Sequence, residues 1–349
     1  MIASLSARLP SVAALLALGL SAPAFALPID HEGPEAQLTA ADSTQARAGA
    51  ATASQILQRF SPVGNAFALP GAPRRTEGLG EGAAQGLAGG DMAVLKGWSL
   101  WGSVVGGSTQ NSFAPEQQKG TVWTLSTGAD RPISETTTMG VSLTFTHEGA
   151  DTAFGTGTRS ANSVYLAPYA SFKLNDWLSA DVTLGYGHTD TNQKRDFLGT
   201  PVTGSHSSHS LFGAANLTAS KWHGATLLSG VVGLSGSSTR RGSFTESDGT
   251  VNLSSKSQQL QARIGGTIGY YMEPMLPYLS VEYIYDLKQE RSLLPGAPND
   301  RDEFRVTLGS HIYGTGANKN LSGGFAVSHS FNRSDKKATN VSLNLRLAF

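Results

Sequence analysis

The chain has no cysteine, no excess of either charge, and no apolar run long enough to make a membrane-crossing helix. Each absence removes a class of protein. Without thiols there is no disulfide framework and no thiolate zinc site. With 26 basic and 26 acidic residues in 349, the net charge draws the protein neither to nucleic acid nor to an acidic surface. The apolar stretch from Val12 to Leu20 is about nine residues long, whereas a helix needs ~20 to cross the hydrocarbon. Also missing are a glycine-rich phosphate loop, a paired-carboxylate site and an H-E-x-x-H helix. No catalytic residue, cofactor or metal ligand is therefore expected. What fills the space is polar and small. Hydrophobic residues make up only 39% and charged ones 15%, with 41 glycines among abundant Ser, Thr and Asn. That mixture suits β-structure with a polar lining better than a packed globule.

Three regions follow in order. Residues 1–26 have the form of a secretory signal: Arg8 in the n-region, the apolar core Val12 to Leu20, and Ala24-Phe25-Ala26 as an A-x-A cleavage site. Residues 27–96 form a leader and linker. Within them 42–60 reads as an Ala-rich helix with Asp42 as its cap, placed in a lumen, on a surface, or in a partly ordered leader. A Pro/Gly/Arg-rich linker, extended by composition, follows over 61–90. From about residue 97 to Phe349 the pattern is one of repeated strands.

Twelve strands are predicted, near 97–107, 119–129, 136–147, 161–173, 177–189, 206–219, 224–235, 255–271, 277–288, 302–313, 320–331 and 339–349. Each meets the ~9–11 residues that a tilted strand needs to cross a bilayer. The last is the clearest: Val341, Leu343, Leu345, Leu347 and Phe349 alternate with Ser342, Asn344, Arg346 and Ala348, which is a strand with one greasy and one polar face. An exported chain with strands but no membrane helix can span a membrane only as a closed barrel. The expected fold is therefore all-β, a closed antiparallel twelve-stranded transmembrane barrel preceded by a short helix and linker.

In such a barrel the apolar face meets lipid and the polar face lines the lumen. Asp181, Arg263, Glu282, Asp286, Arg305 and Arg346 are predicted to face inward, with Lys288 on the same polar side. They read either as a charged track for a transiting segment or as a network that keeps a narrow lumen polar and rigid. The odd connections, such as Asp190–Ser205, Gly236–Ser254 and Gln289–Arg301, read as longer than the even ones, the asymmetry of barrels with long outer loops and short inner turns. Trp98, Trp101, Phe172, Trp177, Trp222, Tyr270, Tyr271, Tyr278 and Phe349 gather at the short-turn end, as an interfacial girdle would. Pro168 inside a strand predicts a bulge or a break.

His188, His206 and His209 are the densest candidates for chemistry. His206 and His209 are three apart in a strand and face opposite sides, and no acidic third member stands out beside them. Solvated loop-end residues are the expectation, over a metal site or a lipid hydrolase.

The segment Gly86-Leu-Ala-Gly-Gly-Asp91 before Gly97-Trp98-Ser99-Leu100-Trp101, the run Tyr165-Leu-Ala-Pro-Tyr169 and the terminal Phe349 resemble the translocator domain of bacterial autotransporters, over roughly residues 90–349. That resemblance implies an outer-membrane translocator barrel, carrying or plugged by its own short N-terminal segment, that works by shape and not as an enzyme. It implies outer-membrane lipid, the barrel-assembly machinery and periplasmic chaperones as partners, no nucleic acid, and a monomer. It also implies that the outward face Val341, Leu343, Leu345, Leu347 and Phe349 serves as the assembly signal. The departures are a leader of only about seventy residues without a solenoid repeat, and no Asn-Asn pair in 61–97 where some relatives cleave. A passive channel or a surface-loop adhesin is the alternative function.

Overall fold

A computed structural model describes residues 48–57, 97–113, 117–152, 157–197, 199–289, 300–315, 320–333 and 336–349. The signal segment with Ala24 and Ala26, the cap Asp42, and the linker 61–90 lie outside the described residues. Residues 48–57 form a helix, inside the span predicted for one.

The strands are β1 (Ser99–Asn111), β2 (Gln118–Pro132), β3 (Thr137–Thr152), β4 (Gly157–Lys173), β5 (Leu178–Phe197), β6 (Thr200–His223) and β7 (Thr226–Arg241). Two short strands follow, β8 (Phe244–Thr245) and β9 (Val251–Asn252). The series ends with β10 (Ser255–Tyr270), β11 (Met275–Gln289), β12 (Asp302–Tyr313), β13 (Leu321–Phe331) and β14 (Lys336–Ala348). All but β8 and β9 form one closed antiparallel ring of twelve, in which β14 returns to pair with β1 from Ser99↔Ala348 to Asn111↔Lys336. The seam continues past the strand ends, where Phe349 donates to the Trp98 carbonyl at 2.9 Å and Gly97 to the Phe349 carbonyl at 3.0 Å. Closure leaves no edge strand among the twelve, so every strand's backbone groups find partners on both sides.

The greasy side faces out. Val341, Leu343 and Leu345 are 52%, 58% and 56% exposed, and Leu166, Leu184 and Ile264 show the same on other strands. Polar residues occupy the opposite positions, Thr144, Thr189, Ser208 and Thr239 among them, all buried.

The strands run further outward than the sequence pattern suggests. Asp190–Ser205 is a ladder and not a loop: β5 and β6 stay in register to Phe197↔Thr200, leaving 198–199 between them. Their alternating Thr, Asn, Ser and Gly keep strand geometry without needing lipid. The Gly236–Ser254 span likewise contains the last turns of β7 and the β8–β9 hairpin. The asymmetry between the two ends therefore lies in how far the strands project as well as in loop length.

Pro168 causes no bulge. Pairing with β3 runs through Val141↔Pro168. Against β5 the ladder lapses at Ala167 and Pro168, the local break that a proline's missing amide predicts, and passes from Leu166↔Tyr186 to Tyr169↔Thr183 in an unchanged register. Thr183 Oγ1 donates to the Pro168 carbonyl at 2.9 Å. A register shift does occur elsewhere. Leu260 faces Lys288 while Gln261 faces Asp286, so Leu287 is an extra residue on β11. The bulge rotates Lys288 out of the polar set that holds Glu282 and Asp286, and the predicted inward placement of Lys288 is corrected.

Candidate functional site: the lumen and its helix

The lumen is not polar all round. Tyr165, Ala167 and Tyr169 point inward from β4, and Phe212 and Ala214 from β6. Between those strands β5 presents Gly185 and Gly187 to the interior, where an added Cβ would collide with the Phe212 ring and the Tyr165 ring respectively. The missing side chains on β5 are what allow the two neighbouring rings to lean over it. They meet edge to face, with centroids 5.5 Å apart at 83°. The result is a flat apolar cushion on one arc of the wall.

The helix rests on that cushion. Gly49 brings its backbone close to the wall, so that a Cβ there would stand 3.3 Å from Ser237 Cβ and 3.5 Å from Phe212 Cβ. Ala53, Ile56 and Leu57 bury against the same cluster, which Trp101 of β1 borders. The buried positions 49, 50, 52, 53, 56 and 57 recur at helical spacing, while Ala51 is exposed. At the rim of the cushion the indole of Trp101 donates to the Tyr169 hydroxyl at 2.8 Å, and that hydroxyl donates to Asp130 at 3.2 Å. Asp130 also accepts from Arg346 at 3.3 Å. This chain of contacts links β1, β4 and β2 to the closing strand.

The facing arc is charged and paired within itself. Arg263 meets Glu282 at 3.2 Å, and Arg305 reaches Glu303 at 2.9 Å and Glu282 at 3.8 Å. Arg333, just beyond β13, bonds Asp286 at 2.9 Å and Glu303 at 3.1 Å. Gln261 adds a 2.7 Å bond to Asp286. A cavity of about 560 Å³ separates the helix from this arc, with Ala51, Ser54 and Gln55 on one side and Arg263, Glu282, Arg305 and Arg346 on the other. Asp181 is buried on β5 across from Ser171 and takes no part in those ion pairs. Asp130, Glu303 and Arg333 complete the network without having been singled out in the sequence. Only their place on the inward parity of a strand, or just past its end, could have signalled them.

Of the aromatics expected in a girdle, Trp177 and Tyr270 are exposed, each 55%. Trp222, Tyr271 and Tyr278 instead pack with Leu227, Leu276 and Tyr313 as a second buried cluster near the short turns. Trp222 and Tyr278 have the inward parity of Phe212 and Glu282, which overrides their preference for an interface.

At the outer end the β8–β9 hairpin is held to β5 and β6. Arg195 bonds Glu246 at 2.6 Å and Asp248 at 3.1 Å, and Ser247 donates to the Thr203 carbonyl at 2.8 Å. The Thr250 amide, first, and the Arg195 guanidinium hold the Asp248 carboxyl below the ordinary carboxylate range. His206 is not solvated: it is buried and stacks on Phe244 with centroids 4.7 Å apart. His209 lies on the outer face against Tyr186, and His188 does have an acidic neighbour, Asp190, at 3.1 Å. Among the described residues no three acidic, His or Cys side chains converge on a metal position.

A family model described as the autotransporter β-domain matches residues 100–332. The translocator domain of NalP from Neisseria meningitidis superposes with a TM-score of 0.64 at 13% identity, over 72% of this chain and 89% of that one. The β domain of the Bordetella autotransporter Brka gives 0.60 at 14% identity over 73% and 100%, and the transport unit of AIDA-I from Escherichia coli gives 0.56 at 13% over 72% and 90%. Comparison with curated protein sequences returns no match. The ring of twelve strands agrees with these folds, and with a family model spanning more than half of its length the chain belongs to the autotransporter β-domain family.

Proposed function

We propose that this outer-membrane translocator barrel exports its own N-terminal segment and retains the helix at 48–57 as the occupant of the pore. The observation that supports the reading is the fit of the helix to the wall: a glycine where its backbone comes close to Ser237 and Phe212, and its two large apolar side chains, Ile56 and Leu57, on the cushion. Gly49 sits by Ser237, near the outer end of β7, whereas residue 97 rejoins the barrel at the inner end beside Phe349. The segment before the helix then belongs outside the cell and the linker after it within the pore or periplasm.

In this reading residues 1–26 direct export across the inner membrane and are cleaved after Ala26. The barrel-assembly machinery and periplasmic chaperones handle the unfolded barrel, reading the outward face Val341, Leu343, Leu345, Leu347 and Phe349. Because β14 closes on β1 within one chain, the barrel works as a monomer in outer-membrane lipid. Translocator domains of this family are not enzymes, and the work here is done by shape. The test is surface access: an epitope within 27–47 is cleaved by protease added to intact cells, while one within 61–90 is protected. Retention of the first epitope in the periplasm refutes export.

A further inference from the structure

On the outer face of β6, β7 and β10 the apolar band ends with Leu211, Leu234 and Leu260, and His209, Arg240 and Lys256 stand beyond it. These three form one row across the sheet, with His209 opposite Arg240 and Arg240 opposite Lys256. Arg240 and Lys256 are exposed and make no ion pair among the described residues. Like charges directly opposite one another destabilise a strand pair, so the row calls for an anion. The bulge at Leu287 adds to it: by turning Lys288 outward it places a further ammonium beside Gln258, one outward position from Lys256. Across the barrel the corresponding row holds Lys119 on β2, which faces Asp151 on β3, and Lys337 on β14, kept apart by the neutral Gln110 of β1.

The height of the row identifies what it meets. Leu228, 51% exposed near the short turns beside Trp177, and Arg240 are both outward residues of β7. The stretch between them covers roughly 40 Å along the strand, or about 30 Å along the membrane normal at a tilt of ~40°. That matches the ~30 Å hydrocarbon core. With Leu228 at the inner interface, the guanidinium lies at the level of the outer headgroups, where basic clusters hold lipid phosphates.

We propose that Arg240 and Lys256, extended by Lys288 and His209, bind the phosphate groups of the phosphorylated glycolipid in the outer leaflet. The inference needs the membrane placement but not the export reading. The site lies on the outer wall, so helix and lumen do not enter it.

The experiment titrates the refolded full chain in neutral detergent with bisphosphorylated hexa-acylated lipid A, following bound lipid by native mass spectrometry. Folding of each variant is checked by heat-modifiable migration. Removing one cation, by Arg240→Gln or Lys256→Gln, weakens binding about fivefold, and the double variant about 25-fold. Lys119→Gln binds as the wild type does. The inference is overturned if dephosphorylated lipid A binds equally well, if the double variant keeps wild-type affinity, or if Lys119→Gln loses as much. Competition by millimolar inorganic phosphate alone overturns the lipid assignment. If the double variant does not fold, the two single variants decide the matter by the same criteria.

Discussion

Replacing Ile56 and Leu57 together by aspartate should release the helix from the wall. The two side chains are 2% and 1% exposed, packed with Tyr165, Tyr169 and Phe212. Burying an aliphatic side chain of this size contributes about 1.5–3 kcal/mol, so the pair supplies about 3–6 kcal/mol of docking. The lower figure alone shifts the docked-to-free ratio on the order of 150-fold, and an unpaired carboxylate pressed against the rings would shift it further. Short helices owe most of their stability to packing and little to propensity, so nothing else compensates. The assay is conductance of the refolded full chain in planar bilayers, with folding of the barrel verified by its heat-dependent migration. Wild type should show small, rare openings and Ile56→Asp/Leu57→Asp a larger, persistent one. Ala51→Asp, on the exposed side facing the cavity, should behave as wild type. Phe212→Ala removes the cushion from the other side. Combined with the helix variant it should add less than the sum of the two effects, because both delete one contact. A folded Ile56→Asp/Leu57→Asp protein with wild-type conductance, or an Ala51→Asp pore equally open, would refute the reasoning.

Gly187→Val puts a branched side chain where the Tyr165 ring lies. Overpacking of this kind costs about 1–3 kcal/mol or more, and the refolding yield should drop, whereas Thr189→Val nearby should be milder. Arg333→Ala strands Asp286 without its guanidinium and leaves Glu303 with Arg305 alone; breaking a buried pair costs about 3–5 kcal/mol, read as a lower urea midpoint. Phe349→Ser should reduce the amount of barrel in the outer membrane of cells, and an unchanged level would remove that residue from the assembly signal. Asp248 has a folded pKa below its ordinary value, so its hold on Arg195 is fully present above that ordinary value and is lost as the pH falls from there through the folded one. Amide protection at Ser247–Thr250, taken relative to the intrinsic exchange rate at each pH, should therefore be high at neutral pH and fall only in acid. Asp248→Asn should lower that protection throughout.

The barrel was legible because lipid and water impose opposite demands on alternate residues. Val341 through Leu345 could be read at sight, and so could the count of twelve. What escaped the reading lay where a second demand overrides the period of two. The outer parts of β5 and β6 carry Thr, Asn and Ser on both faces, since both faces meet water, and so look like a loop. Tyr165 and Phe212 occupy inward positions that should be polar, and their purpose shows only once Gly185 and Gly187 place the rings side by side. The extra Leu287 reverses the face of Lys288 through a single inserted residue, a change that no pattern of apolar spacing reveals. Arg333 belongs to the ion network although it stands beyond the end of its strand.

The division of the lumen into two unlike arcs is what gives the helix a single address. Hydrogen bonds exchanged with water contribute little net free energy, so a uniformly polar wall would hold a helix weakly and in many positions. The apolar arc removes that degeneracy, because only there can Ala53, Ile56 and Leu57 leave water together. The charged arc enforces it from the opposite side: Arg263, Arg305 and Arg333 already have carboxylates, so they offer a helix no new partner and would lose water if one covered them. A segment with large or charged residues at the positions of Gly49 and Ala53 cannot approach the cushion and is repelled from the alternative. The seat thus selects the small-residue face of this chain's own helix, and any other stretch in the lumen finds no comparable place to stop.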